Sequence, residues 1–125
     1  MKKTWKRLVE IAQEETGTVL EELPEPLREQ TRDLLITYEQ HPDRRSVSEG
    51  IEPDTMGLFV GRTYAEENTS LDPVPPSILL FLDNIWDEAE HDEDLYRDEV
   101  RTTVLHELGH FLGLEESDLD ERGLE

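Results

Sequence analysis

Between Asp94 and Gly113 the apolar residues recur with a helical period. At 100° per residue, Val100, Val104, Leu105, Leu108, Phe111 and Leu112 fall within one arc of about 140°. That arc faces the core. Asp94 is read as the N-cap, Asp98 and Glu99 suit the positive end of the helix dipole, and Gly113 is the stop. Arg101 falls inside the apolar arc, so it must either snorkel or pair with an acid.

The rest of the chain supplies shorter elements. Trp5, Leu8, Val9, Ala12, Val19, Leu20 and Leu23 predict a helix over residues 4–22, weakened around Gly17. Pro24 ends it, and Pro26 suits the first turn of a short helix carrying Leu27 to Thr31. Leu34 to Tyr38 is β-branched and aromatic and is closed by a His41-Pro42-Asp43 turn, which predicts a strand. Residues 43–52 are polar and read as loop. Pro53 to Gly61 reads as a short helix opened by Pro53 or as a strand through Leu58, Phe59 and Val60, and stays open. Residues 62–76, with three prolines, read as an irregular loop. Ile78 to Leu82 is a continuous apolar run of strand length. From Asp83 to Glu99 nine of 17 residues are acidic, with a short helix expected around Ile85 to Glu90. That run lacks the spacing of a calcium loop and reads as a solvated acidic face.

A chain of 125 residues is expected to form one domain, residues 1–125, around one core. Its 32 acids against 12 bases leave a net charge of -20. Such a field repels phosphate backbones, so neither nucleic acid nor an anionic membrane is expected as a partner. There is no cysteine, which excludes disulfides, thiol nucleophiles and Cys-held metals. Any metal must be held by His, Asp or Glu. Glu10, Glu14 and Glu15 interrupt the apolar stretch behind the basic N-terminus, and no run approaches the roughly 18 apolar residues of a membrane span. A soluble, cytoplasmic protein is the expectation.

His106 and His110 lie opposite the apolar arc of the last helix. Spaced i and i+4, two imidazoles project from one face and can converge on one ion. With Glu107 after the first and Gly113 three beyond the second, the run is HExxHxxG. At this chain's composition HExxH arises by chance in about one such sequence in fifty, and the added glycine lowers that to about one in a thousand. Glu107 is placed to meet a bound water rather than the ion. An open zinc site needs a third protein ligand, and 12 residues follow Gly113. The candidates are Glu115, Glu116, Asp118, Asp120 and Glu121. A helix-ending glycine lets the backbone reverse toward the ion, which ranks Glu116 first, with Asp118 and Glu115 behind it. His41 and His91 read as exposed.

His106 to Gly113 with an acid at 116 resembles the HExxHxxGxx(H/D) pattern of zincins. The C-terminal half is similar to a small bacterial zincin-like metallopeptidase family, formerly a domain of unknown function. The Ile78 to Leu82 strand, the Asp98 to Leu105 approach to the histidines, the Leu34 to Tyr38 strand and Met56-Gly57-Leu58-Phe59 carry the likeness across most of residues 20–125. The resemblance implies an α+β, minimal zincin-like fold: an active-site helix packed on a small mixed β-sheet, here with an N-terminal helix. It also implies an Asp at the third-ligand position, where this chain has Glu116. The only internal methionine, Met56, lies upstream of the motif, so the chain is not a metzincin.

The chemistry expected is metal-assisted hydrolysis of a peptide bond. Zn2+ held by His106, His110 and Glu116 activates water, Glu107 is the general base, and a peptide or protein is the substrate. Tyr64, Arg62 and Tyr96 are candidates for a second oxyanion donor. An extended peptide can add to the edge of the Ile78 to Leu82 strand, if that strand is not buried. Three rivals stand beside this reading: a hydrolase of a non-peptide bond, a ribonuclease-type His arrangement that the charge disfavours, and a non-catalytic zinc-binding or interaction module.

Overall fold

The computed structural model describes residues 4–61 and 75–113. The Thr4 side chain accepts a hydrogen bond from the Arg7 amide and opens helix α1, Trp5–Glu22, which runs unbroken through Gly17. Its inner face buries Leu8, Ile11, Ala12 and Val19. Pro24 stops it, and α2, Glu25–Gln30, follows with Pro26 in its first turn, where a missing N–H costs nothing.

Strand β1, Leu35–Glu39, comes next, then helix α3, Arg44–Ser48, strand β2, Gly57–Val60, and strand β3, Ser77–Phe81. The polar stretch expected as loop over 43–52 therefore contains a helical turn. The Asp43 side chain caps it by accepting from the Ser46 amide at 2.7 Å. A five-residue helix that buries no residue has no apolar stripe to announce it. The open question over Pro53 to Gly61 resolves as a strand.

The sheet order is β1-β3-β2, with β1 parallel and β2 antiparallel to β3. β3 is thus the central strand. Its run is apolar without interruption because Ile78 and Leu80 face the helices and are fully buried, while Leu79 lies between Thr37 and Leu58 on the other face. This corrects the expectation that a peptide could add to the edge of the Ile78 to Leu82 strand: both of its edges are taken. Leu82, the last residue of the expected strand, already belongs to helix α4, Leu82–Glu88.

Glu90 and His91 both adopt positive φ, 55° and 61°, and turn the chain sharply into helix α5, Glu93–Phe111. The cap is Asp92, whose carboxylate accepts from the Leu95 amide at 3.0 Å, and not Asp94, which lies in the first turn. The turn brings the chain into helical geometry two residues before composition suggests. α5 packs against α1, α4, β2 and β3. Val100, Val104 and Leu108 have no exposure, Phe111 almost none, and Leu105 and Leu112 are partly buried. Arg101 pairs: one guanidinium nitrogen lies 2.6 Å from Glu15 on α1 and another reaches Asp98. Five helices and a small mixed sheet among the described residues make an α+β fold in which the last helix, the sheet and the N-terminal helix share one core.

Candidate active site

The last two turns of α5 carry the candidate chemistry. His106 and His110 are exposed, their rings nearly perpendicular with centroids 4.9 Å apart. Their Nε2 atoms are 3.3 Å apart. Two nitrogens each about 2.05 Å from a tetrahedral zinc lie about 3.3 Å from one another, so the pair already has the spacing that ion requires. His106, Glu107 and His110 present ligand-type atoms that all lie within 4.8 Å of one another, the one such group among the described residues.

Glu107 is set differently from the histidines. One residue past His106 is a 100° turn, which carries its side chain off the exposed face and toward β2. There it is 7% exposed. It fits because residue 57 is glycine: a Cβ at Gly57 would lie 2.5 Å from Thr103 Cγ2 and 3.2 Å from Glu107 Cγ. The strand backbone therefore lies directly against α5, and the Phe59 amide donates a hydrogen bond to the Glu107 carboxylate. Burial pushes the Glu107 carboxyl above its ordinary value, and the neighbouring His110 and His106 and the Phe59 N–H pull it partly back. A proton acceptor whose charged form is half-desolvated is suited to hold and pass on a proton.

In front of this group is an open cleft of about 340 Å³ lined by Leu58, Phe59, Glu107 and His110. Phe59 is fixed by its ring contact with Phe111, centroids 5.7 Å apart. β2 forms the rim of the cleft and is an edge strand among the described residues. The Phe81 amide donates to Met56 O. Antiparallel alternation from that bond turns the backbone groups of Gly57 and Phe59 away from β3, toward the site, in agreement with the Phe59 bond to Glu107.

Other candidates fall elsewhere. Tyr96 is no oxyanion donor: it is fully buried, its hydroxyl donates to Leu8 O at 3.0 Å, and its ring meets Trp86 edge-on. It also precedes His106 by ten residues, about 15 Å along the helix. Arg62 and Tyr64 lie outside the described residues, as do Glu115, Glu116, Asp118, Asp120 and Glu121. His41 and His91 are exposed and do not belong to the group; His91 stacks on Trp86 and meets Asp87 at 2.8 Å. The acidic run from Asp83 to Glu99 supplies no metal-holding group among the described residues. Sequence reasoning assigned no chemistry to Gly57, Leu58 or Phe59. Their only signal was the Met56 to Phe59 likeness, because what they do depends on a helix about fifty residues away.

Among the described residues no helix is long and apolar enough to cross a membrane. No curated protein matches the chain. The family model described as zincin-like metallopeptidase matches residues 31–124, from just before β1 through the motif helix and beyond, leaving α1 outside. With the paired histidines, the buried glutamate between them and the edge strand across the cleft, that match places the chain in the zincin-like metallopeptidase family.

Proposed function

We propose that this protein is a zinc-dependent peptidase in which His106, His110 and Glu116 hold the metal and Glu107 is the general base. The observation that carries the proposal is the 3.3 Å spacing of the two Nε2 atoms beside a buried carboxylate that faces the same cleft. The helix ends at Gly113, whose φ is 73°, and of the acids that follow it in the sequence Glu116, three residues on, is the one we assign as third ligand.

When bound, the metal supplies Lewis acidity, polarising the scissile carbonyl and acidifying water. The remaining work belongs to the chain. His106 and His110 present their Nε2 atoms from one helix face. Glu107 takes the proton of the attacking water and delivers it to the leaving amine. The outward N–H and C=O of Gly57 and the C=O of Phe59 offer an extended peptide the pairing that β3 has already spent on its neighbours. Leu58 and Phe59 give the cleft an apolar wall for one side chain of that peptide.

The test combines zinc analysis with cleavage of a peptide library read by mass spectrometry. The wild-type protein binds one zinc and cleaves. His106→Ala/His110→Ala binds none, Glu107→Gln keeps the metal and loses about 100-fold or more in rate, and Glu116→Ala weakens zinc by about tenfold or more. Zinc retained by the double histidine variant refutes the metal assignment. Zinc binding with no cleavage of any peptide leaves a non-catalytic zinc module or a hydrolase of another bond.

A further inference from the structure

Charge is distributed very unevenly along this chain. Up to Glu49 there are 11 acids and eight bases; from Gly50 onward there are 21 acids and four bases. The first part is close to balanced, with arginines matched locally in pairs such as Arg28–Glu25, Arg32–Glu29 and Arg45–Glu49. The second part contains β2 and α5, whose residues Leu58, Phe59, Glu107 and His110 line the cleft. Arg97 and Arg101 are the only Lys or Arg among its described residues. Both are engaged on the α1 side of α5, Arg97 with Glu14 at 2.9 Å and Arg101 with Glu15 at 2.6 Å. The cleft side therefore has no described base to offset its acids. Glu52 and Asp54 are exposed in the turn that leads into β2. Glu99 lies seven residues, two helical turns, before His106 on the same face of α5.

A cleft whose surroundings carry one sign of charge, with apolar walls such as Leu58 and Phe59, concentrates ligands of the opposite sign and repels those of its own. We infer that the substrate of this site is an extended, cationic peptide segment, rich in Lys or Arg, with an apolar side chain at the cleft. This rests on the peptidase reading and adds the substrate class to it.

The experiment uses three fluorogenic peptides that share one apolar core and are flanked by Lys, by Ser or by Glu. For the zinc-loaded protein at low ionic strength, kcat/KM is expected to be about tenfold or more higher for the Lys-flanked peptide than for the Ser-flanked one, with the Glu-flanked peptide lowest. At about 0.5 M salt, where the screening length falls to a few Å, the three should converge to within about threefold. Glu52→Gln/Asp54→Asn should lower the Lys-flanked rate about threefold or more and leave the Ser-flanked rate unchanged. Binding to Glu107→Gln, followed by fluorescence anisotropy, should show the same order without turnover. Cleavage of all three at equal rates, or equal affinities in the anisotropy assay, overturns the cationic-substrate inference and leaves the peptidase reading intact. Failure of the zinc-loaded protein to cleave any of the three overturns the peptidase reading, and the inference falls with it.

Discussion

Gly57→Ala tests whether the close approach of β2 to α5 is what holds Glu107, the proposed general base. The new Cβ would sit 2.5 Å from Thr103 Cγ2, about 1 Å inside the 3.5–4.0 Å at which carbons rest in contact. Thr103 cannot yield cheaply. It is 7% exposed, and its hydroxyl donates to Glu99 O at 2.7 Å, so rotating the methyl away breaks that bond. The strand must instead move off the helix by about 1 Å. Overpacking of this kind costs about 1–3 kcal/mol. The same displacement lengthens the Phe59 N–H bond to Glu107, and a 1 Å misplacement of a reacting group is worth about 100-fold in rate. Urea denaturation and peptide cleavage read the two effects, while competition with a chromogenic chelator should find zinc affinity near that of wild type, because Gly57 does not touch the histidines. Thr103→Ser supplies the control, since it removes Cγ2 and keeps the hydroxyl. In Gly57→Ala/Thr103→Ser only the 3.2 Å contact with the Glu107 side chain remains, and a coupling of about 1 kcal/mol or more should appear in the double-mutant cycle. A Gly57→Ala protein within about 0.5 kcal/mol of wild type and fully active would refute the reasoning, as would a cycle with no coupling.

Two further outcomes follow from the fold. Burial, and next the charge of Asp83, hold the Tyr96 phenol above its ordinary 10.0, so above about pH 10 the unfolded chain releases this proton before the folded one does. Stability present below that pH should fall as pH rises; in denaturation between pH 9 and 11 Tyr96→Phe should flatten the slope, with the similarly raised Tyr38 supplying what remains, and should cost about 1 kcal/mol at neutral pH by losing the hydroxyl's bond to Leu8 O. An unchanged alkaline slope would remove Tyr96 from the account. Asp92→Ala should cost about 1 kcal/mol in thermal denaturation, distinctly more than Asp94→Ala; the reverse order would put the cap back at Asp94.

What the sequence revealed of this molecule divides by distance along the chain. The motif helix was legible because its evidence is local: an apolar arc repeating over several turns, two histidines one turn apart and a glycine at the end. The misplacement of its cap has a local cause as well. Glu90 and His91 take positive φ, where glycine or asparagine is the usual signal, so nothing in the residue types marked how soon after the break the helix begins. α3 was invisible because a helix with no buried face has no period to detect. For β2 the information is nonlocal. Gly57-Leu58-Phe59-Val60 carries no clean alternation, and a helix opened by Pro53 is locally as good. What selects the strand is β3, whose Leu79 and Ile78 pair with Leu58 and Phe59, and α5, which leaves room for a backbone but not for a side chain at position 57.

The same division runs through the candidate site and separates its two tasks. Holding a metal needs two lone pairs about 3.3 Å apart, and one turn of helix provides that from residues four apart, so those two candidate ligands could be read from spacing alone. Positioning the base needs a carboxylate taken partly out of water and held by a donor that does not belong to its own helix. That donor is the Phe59 amide, on a strand 48 residues before Glu107, and no local pattern in the sequence contains it. A helix carrying the histidines but detached from β2 would keep the metal spacing and lose the environment that raises the Glu107 proton affinity. On the proposed reading, the four-residue strand Gly57–Val60 therefore belongs to the site as much as the helix that bears the motif.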